Sequence, residues 1–329
     1  MRQLLRRLLS WVLASVLAVL AGVAWGVGEH GFLDVNGIFT TIDPPKAVIT
    51  EVRGINNGGQ LVGYALGDLG STGNAASGFL DTGGTFTRIE PPGADQTGAS
   101  DINNAGQIVG TFRDSRSLRE HGFVYAGGTY STIDMPGAVN TSARGINDAG
   151  QIVGTFQDSP TSRQRGFVYA GGTFTTIDGP GMSGTIAYSI NDAGQIVGTV
   201  ESGTLGFLYA GGTFSIIDVP GAGLTRPTGI NNAGQIVGYF LDQHSAQHGF
   251  LYSGGTFSTI DMPGATETFA LGINDAGHIV GAFSTVPLPV IPEPGSLVLF
   301  SVGLLGLGLA WRRRVVALPL TCAYRTDCR

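Results

Sequence analysis

The sequence predicts an all-β protein, best accommodated as a six-bladed β-propeller, and three observations carry that expectation. The dipeptide Gly-Phe recurs at Gly31-Phe32, Gly78-Phe79, Gly122-Phe123, Gly166-Phe167, Gly206-Phe207 and Gly249-Phe250, spaced by 47, 44, 44, 40 and 43 residues. In the fullest copies it leads through Gly-Gly, Thr-Phe-x-x-Ile-Asp, Pro-Gly and Ile-Asn to Gln-Ile-Val-Gly, a repeat of about 44 residues. No stretch of this body holds apolar residues at a 3.6-residue period over a useful length, so helices are not expected.

The third copy, His121 to Phe156, shows the elements in order. Residues 123–125 and 129–133 read as strands flanking Gly127-Gly128, a two-residue hairpin in which both residues accept positive φ. Pro136-Gly137 suits the centre of a type II turn. A third strand over 142–146 turns at Asp148-Ala149-Gly150 into a fourth over 151–156, with Gly150 fitted to a left-handed loop position. Each repeat is therefore expected to be one four-stranded antiparallel meander. Such a sheet cannot bury both faces alone, and radial stacking of like sheets solves that problem. Residues 30–284 divide into six whole units, each inside the ~40–50 residue range of propeller repeats. A β-solenoid with two rungs per repeat is the alternative, but it needs end caps that the sequence does not display.

Composition narrows the function classes. Of 329 residues 54 are Gly, and charged residues make up only 13%, with Lys46 the single lysine. The 42% hydrophobic content is enough for a packed core and excludes general disorder. Gly does not recur every third residue, which excludes a collagen-like chain. A net charge of -6 supplies no basic footprint for nucleic acid. The two cysteines, Cys322 and Cys328, lie far from the body, which therefore has neither a disulfide framework nor a cysteine metal site.

The ends read as addresses. Arg2, Arg6 and Arg7 precede an apolar run from Leu8 to Trp25, so residues 1–25 form a signal helix, with Gly22 and Ala24 suiting a cleavage site. The run is also long enough for an uncleaved anchor. Residues 285–294 are a proline-rich linker ending in Pro292-Glu293-Pro294, residues 295–311 are apolar, and Arg312, Arg313 and Arg314 open a basic tail over 312–329. Seventeen helical residues at 1.5 Å each span roughly 25 Å, a short transmembrane helix, and the positive-inside rule keeps the tail cytoplasmic. Pro292-Glu293-Pro294, the Gly/Leu-rich span and the arginine cluster together resemble the PEP-CTERM sorting tail of Gram-negative bacteria. The resemblance implies recognition and cutting by exosortase, a membrane transpeptidase-like enzyme, with those three residues and the three arginines as the sorting signal. Tails of that family usually end soon after the arginines, whereas here Val315 to Arg329 continue. The body resembles the HAF-type extracellular repeats through His121-Gly122-Phe123, Gly-Ile-Asn and Gly-Gln-Ile-Val-Gly. The histidine of that motif is kept at His30, His121 and His248 and replaced by Ser77, Arg165 and Leu205. That resemblance implies export and no particular activity.

Residues able to carry chemistry fall into repeated sets. Asp43, Glu90, Asp134, Asp178, Asp218 and Asp261 share one repeat position; a ring of them offers oxygen ligands to a hard cation. The plainer account is that each bonds backbone N–H groups of the following turn, and recurrence in every repeat favours it. Asn56, Asn103, Asn147, Asn191, Asn231 and Asn274 read as amides closing Asx-type turns. The three Gly-Phe histidines lie on non-adjacent blades and would meet only at a central channel, so packing roles are expected for them. No nucleophile elbow, zinc-protease motif or phosphate loop is present. The links from the fourth strand to the next Gly-Phe, at 65–76, 113–120, 157–164, 201–204 and 241–247, vary in length and should share one face, the usual place for recognition. Arg113, Arg116 and Arg119 in one link, with Arg163 in the next and Arg165 just after it, form a basic patch that suits an anionic glycan.

The sequence thus points to an exported, non-enzymatic protein of the cell envelope or extracellular matrix that binds polysaccharide or protein, with no cofactor and no metal. Its processing partners are signal peptidase and exosortase, its membrane contact the C-terminal helix. An extracellular polymer-degrading hydrolase or lyase with scattered carboxylates is the alternative of a different class. A membrane-retained surface sensor is a third, if the tail is kept.

Overall fold

The structure, a computed structural model, describes residues 28–67, 69, 76–179, 184–200 and 204–285. The expected signal helix, the transmembrane helix and basic tail, and all but the first residue of the linker lie outside the described residues. Every regular element among those described is a strand, and no helix there is long and apolar enough to cross a membrane.

Four sheets have four antiparallel strands each. They are β7–β10 (Ala94–Ile102, Ile108–Asp114, Glu120–Ala126, Thr129–Ile133), β11–β14 (Asn140–Ile146, Ile152–Gln157, Arg165–Ala170, Thr173–Ile177), β15–β18 (Thr185–Ile190, Ile196–Val200, Gly206–Ala210, Thr213–Ile217) and β19–β22 (Leu224–Ile230, Ile236–Leu241, Gln247–Ser253, Thr256–Ile260). The remaining strands are β1–β6 (Glu29–Val35, Ile38–Ile42, Ala47–Ile55, Leu61–Gly67, Ala76–Thr82, Thr85–Ile89) with β23 (Glu267–Ile273) and β24 (Ile279–Ser284). These eight form two further four-stranded groups, β23-β24-β1-β2 and β3-β4-β5-β6, spliced by one parallel bridge between Glu29 and Ile49. The arrangement is propeller-like and all-β.

The sheets are not the sequence repeats, and the expected meander from His121 to Phe156 is split. β9 and β10 complete one sheet, while β11 and β12 begin the next. The reason lies in the Pro-Gly turn. Ala138 N–H donates to the Met135 carbonyl at 3.0 Å, with Gly137 at φ 83, a type II geometry that splays strands rather than pairing them. The Gly-Gly turns (Gly127 φ 56, Gly128 φ 86) have the twist that hairpins require, and there the strands pair. Each sheet therefore takes two strands from one repeat and two from the next. The same offset puts β1 beside β24, paired from Glu29–Ser284 to Asp34–Ile279, so the start of the body completes the sheet begun at its end.

The innermost strands β3, β7, β11, β15, β19 and β23 each contact the next, and β23 contacts β3. Apolar clusters fill the space between neighbouring sheets, as with Val109 and Ile133 against Ala143, Ile146, Ile152 and Phe167. The Gly-Phe rings Phe32, Phe79, Phe123, Phe167, Phe207 and Phe250 are all fully buried, each contributing about 1.5–3 kcal/mol by burial. Phe167 meets Phe174 edge-on with centroids 5.2 Å apart. Its ladder partner is Gly154, where a Cβ would strike the Ser142 carbonyl and sit 3.0 Å from the Phe167 ring. The glycine of Gln-Ile-Val-Gly is thus the room the phenylalanine needs.

Where four of the six outermost strands (β10, β14, β18 and β22) cross to the next sheet, a threonine on the following innermost strand receives the free N–H. Met135 donates to Thr141 Oγ1 at 3.1 Å, Val219 to Thr225 at 2.9 Å and Met262 to Thr268 at 3.0 Å.

Candidate functional site

The Ile-Asn pairs end the innermost strands, and their asparagines build a closed ring. Each Asn Oδ1 accepts the N–H of the residue four positions on, as with Gln151 N–H on Asn147 at 2.9 Å, which is the Asx-type closure the sequence implies. Each Nδ2 also donates to the backbone carbonyl of the next asparagine, in the order 56, 103, 147, 191, 231, 274 and back to 56, at 3.0–3.2 Å. Five of the six amides also reach a Gln side chain four residues on; His278 replaces that Gln in the last repeat. A second, exposed ring follows one residue later, where the N–H of Asn57, Asn104, Asp148, Asp192, Asn232 and Asp275 each finds the side-chain oxygen of the next.

Within these rings lies a cavity of about 340 Å³ lined by the innermost strands. Its walls are set by the residue two before Ile of each Ile-Asn: Arg53, Ser100, Arg144, Tyr188, Thr228 and Leu271. Glu51, Arg226 and Tyr239 also line it. The surrounding string keeps Thr five residues before Ile in every repeat, whereas the position two before Ile holds Arg, Ser, Arg, Tyr, Thr and Leu in turn. That contrast between a uniform frame and varied inserts was the legible signal for the site.

The wall divides into two electrostatic halves. On one side Glu51 Oε2 accepts Arg53 Nε at 2.9 Å and Nη2 at 2.9 Å, while Oε1 accepts the Tyr64 hydroxyl at 2.9 Å. The Arg53 guanidinium lies 4.4 Å from the Tyr64 ring centre. Burial, with Glu51 adding to it, pushes the Tyr64 hydroxyl well above the ordinary range. Burial likewise pushes Glu29 up to about 7, helped by the charge of Glu51. Asp101 rises to about 7 through burial, although it accepts the N–H groups of Ile146 at 3.0 Å and Ile102 at 2.9 Å.

The other half is cationic. β11, β15 and β19 are consecutive innermost strands, and they bring Arg144, Tyr188 and Arg226 side by side. Arg144 lies 5.4 Å from the Tyr188 ring centre and reaches Thr155 Oγ1 through Nε at 3.4 Å. Arg226 Nη1 donates to the Tyr239 hydroxyl at 2.6 Å, and its buried Nε has no hydrogen-bond partner. Burial pushes Tyr239 up to about 12. Among the described residues neither Arg144 nor Arg226 has a carboxylate within ion-pair distance, unlike Arg53, Arg88, Arg113 and Arg165.

The residues singled out from the sequence go elsewhere. The acidic set does not cap the Pro-Gly turns; the threonines do that. Asp43, Asp134 and Asp261 instead pair with the Nδ1 atoms of His30, His121 and His248 at 2.7, 2.8 and 2.9 Å, and Asp178 with Arg165 at 2.7 Å. The cause is register: Ile133 lies opposite Gly122, so Asp134 comes opposite His121. The histidines therefore do not meet at the axis, and each stacks on a phenylalanine, as His121 does on Phe112 at 5.3 Å. In the loop patch, Arg113 is bidentate on Asp95, and Arg119 donates to the carbonyls of Val139 and Ala138. Arg116 and Arg163 are exposed. No group of three or more metal-ligating side chains occurs among the described residues.

Residues 290–314 match the PEP-CTERM protein-sorting motif, which marks an exported, cell-envelope-associated protein processed by exosortase. Among curated proteins none matches this chain in sequence. Solved structures similar to it include TolB from Agrobacterium tumefaciens, 11% identical with a TM-score of 0.60 over 80% of this chain and 99% of that one. TolB from Acinetobacter baumannii is 11% identical with a TM-score of 0.50, over 82% of this chain and 67% of that one. At these identities the likeness concerns the fold alone.

Proposed function

We propose that this chain is a non-enzymatic binding protein of the cell envelope, a six-bladed propeller exported by its N-terminal signal and released from its C-terminal helix by exosortase. The observation that carries the reading is a sorting motif at residues 290–314 on a ring whose repeat-breaking polar side chains converge on one axial cavity. The six-membered asparagine ring supports six blades, and the resemblance of the repeats to the extracellular HAF type agrees with export. The carboxylate and carbonyl partners of Arg113, Arg119 and Arg165 favour the cavity over the loop patch as the ligand site.

The test is the intact mass of the protein from its native host, with and without exosortase. A chain starting near Trp25 and ending near Pro294 is expected. A chain retaining Cys322 and Cys328 overturns the sorting claim and favours the membrane-retained sensor.

A hydrolase reading draws on Glu29, raised to about 7 beside Glu51, since carboxylates of divided behaviour suit acid–base work. Against it, both oxygens of Glu51 are already engaged by Arg53 and Tyr64. Loss of polymer cleavage in Glu29→Gln would favour the enzyme.

A further inference from the structure

We propose that the axial cavity binds a small hydroxylated carboxylate, with a uronate sugar as the fitting chemistry, held between Arg144 and Arg226. The inference rests on the binding reading above and names its ligand class. Two guanidinium groups face the cavity from β11 and β19, and among the described residues neither has a carboxylate within ion-pair distance, although Glu51, Asp101, Asp148, Asp192 and Asp275 also line it. Both arginines are half-buried, and charges partly withdrawn from water are ordinarily paired. Burial pushes the Arg144 guanidinium below its ordinary value, with Arg53 and Arg226 adding repulsion that Tyr188 and Glu120 partly offset. It stays charged, because the ordinary value lies far above neutrality. An arriving anion removes that strain.

The donor geometry selects among anions. Arg226 spends Nη1 on Tyr239 and leaves Nε buried without a partner. Arg144 spends Nε on Thr155, and neither Nη makes a hydrogen bond among the described residues. Planar guanidinium edges match a carboxylate in two-point fashion. Tyr188 stands between the two arginines in strand order, and the Arg144 and Arg226 guanidinium groups lie over the Tyr188 and Tyr239 rings, 5.4 and 5.3 Å from their centres. Thr228 and Ser100 add hydroxyls along the same wall. At about 340 Å³ the cavity lies at the small end of ligand sites, which suits a single sugar unit rather than a helix or a peptide loop.

The test is calorimetry on the full chain in mild detergent at low salt, titrated with glucuronate, with neutral glucose and with polyglucuronate. Glucuronate is expected to bind at least tenfold more tightly than glucose. Arg144→Gln and Arg226→Gln should each weaken it at least tenfold, Arg144→Lys less, and Arg113→Gln on β8, outside the cavity lining, should leave it unchanged. Polyglucuronate binding with equal or greater affinity assigns the source to a polymer, and binding of the monosaccharide alone assigns it to a free acid; either supports the proposal. Equal affinity for glucose, or full glucuronate affinity in both Gln variants, overturns it. If the variants do not fold, the wild-type melting temperature decides: glucuronate must raise it and glucose must not. A neutral glycan bound in the cavity would overturn the anion assignment while leaving the binding reading intact.

Discussion

Thr97 follows Pro91 by the same six residues that separate Thr141 from Met135, but Pro91 has no N–H to donate. The Thr141 hydroxyl accepts the Met135 N–H at 3.1 Å, whereas the Thr97 hydroxyl is buried without a partner. Thr50 stands in the same relation to Pro44 and is likewise unpartnered. One repeat position therefore holds the same residue for two energetic outcomes. Thr141→Val should leave a part-buried N–H unpaired and cost about 1 kcal/mol. Thr97→Val removes an orphaned hydroxyl in a similar shape and should be neutral or stabilising. Urea denaturation of the two variants checks this, and equal losses would contradict the latch.

Gly154→Ala should lower stability by about 1–3 kcal/mol through overpacking, because its Cβ meets the Ser142 carbonyl and the Phe167 ring. Adding Phe167→Leu should return part of the loss if the ring is the obstacle. A double-mutant cycle reads that coupling, and strict additivity would point to the backbone contact alone.

The raised carboxyl of Glu29 makes stability pH-dependent with a definite sign. The folded state holds its proton up to about 7, whereas the unfolded chain loses it near 4.5. Between those values the folded form binds more protons, so stability is full below the lower one and falls as pH rises through the higher. A shift of this size corresponds to something on the order of 3 kcal/mol. Glu29→Gln should flatten the decline between pH 4.5 and 7, leaving the part that Asp101 contributes with the same sign. Denaturation of both proteins across that range measures the difference; parallel curves would rule out Glu29 as the source.

Removing the chain through Ile42 should open the ring, because β1 covers β24 along Ile279–Ser284. The exposed edge offers unpaired N–H and C=O groups to other chains, so self-association is expected in size-exclusion chromatography. A monomer that unfolds cooperatively would show that closure at this sheet is dispensable.

Much of the local structure follows from short-range sterics. Gly127 and Gly128 take positive φ, Gly137 takes φ 83 and Gly150 φ 74, and each was readable because side chains disfavour those angles. The role of Asp134 was not. Its neighbours in sequence suggest a turn cap, but its partner His121 is set by antiparallel register thirteen residues back. The arginine patch misled for a related reason, since the partners of Arg113 and Arg119 come from other strands and turns.

The sequence alone determined the repeat, its strands and turns, and the sorting tail, because these depend on φ preferences, alternation and local order along the chain. Tertiary structure decided which strands share a sheet. The type II turn sends each chain segment onward instead of back, shifting every sheet by half a repeat and making the Ile-Asn strands innermost. Only then do Arg144, Tyr188 and Arg226, separated by about 40 residues each, face one cavity. Their meeting depends on ring closure, which no local window of sequence contains.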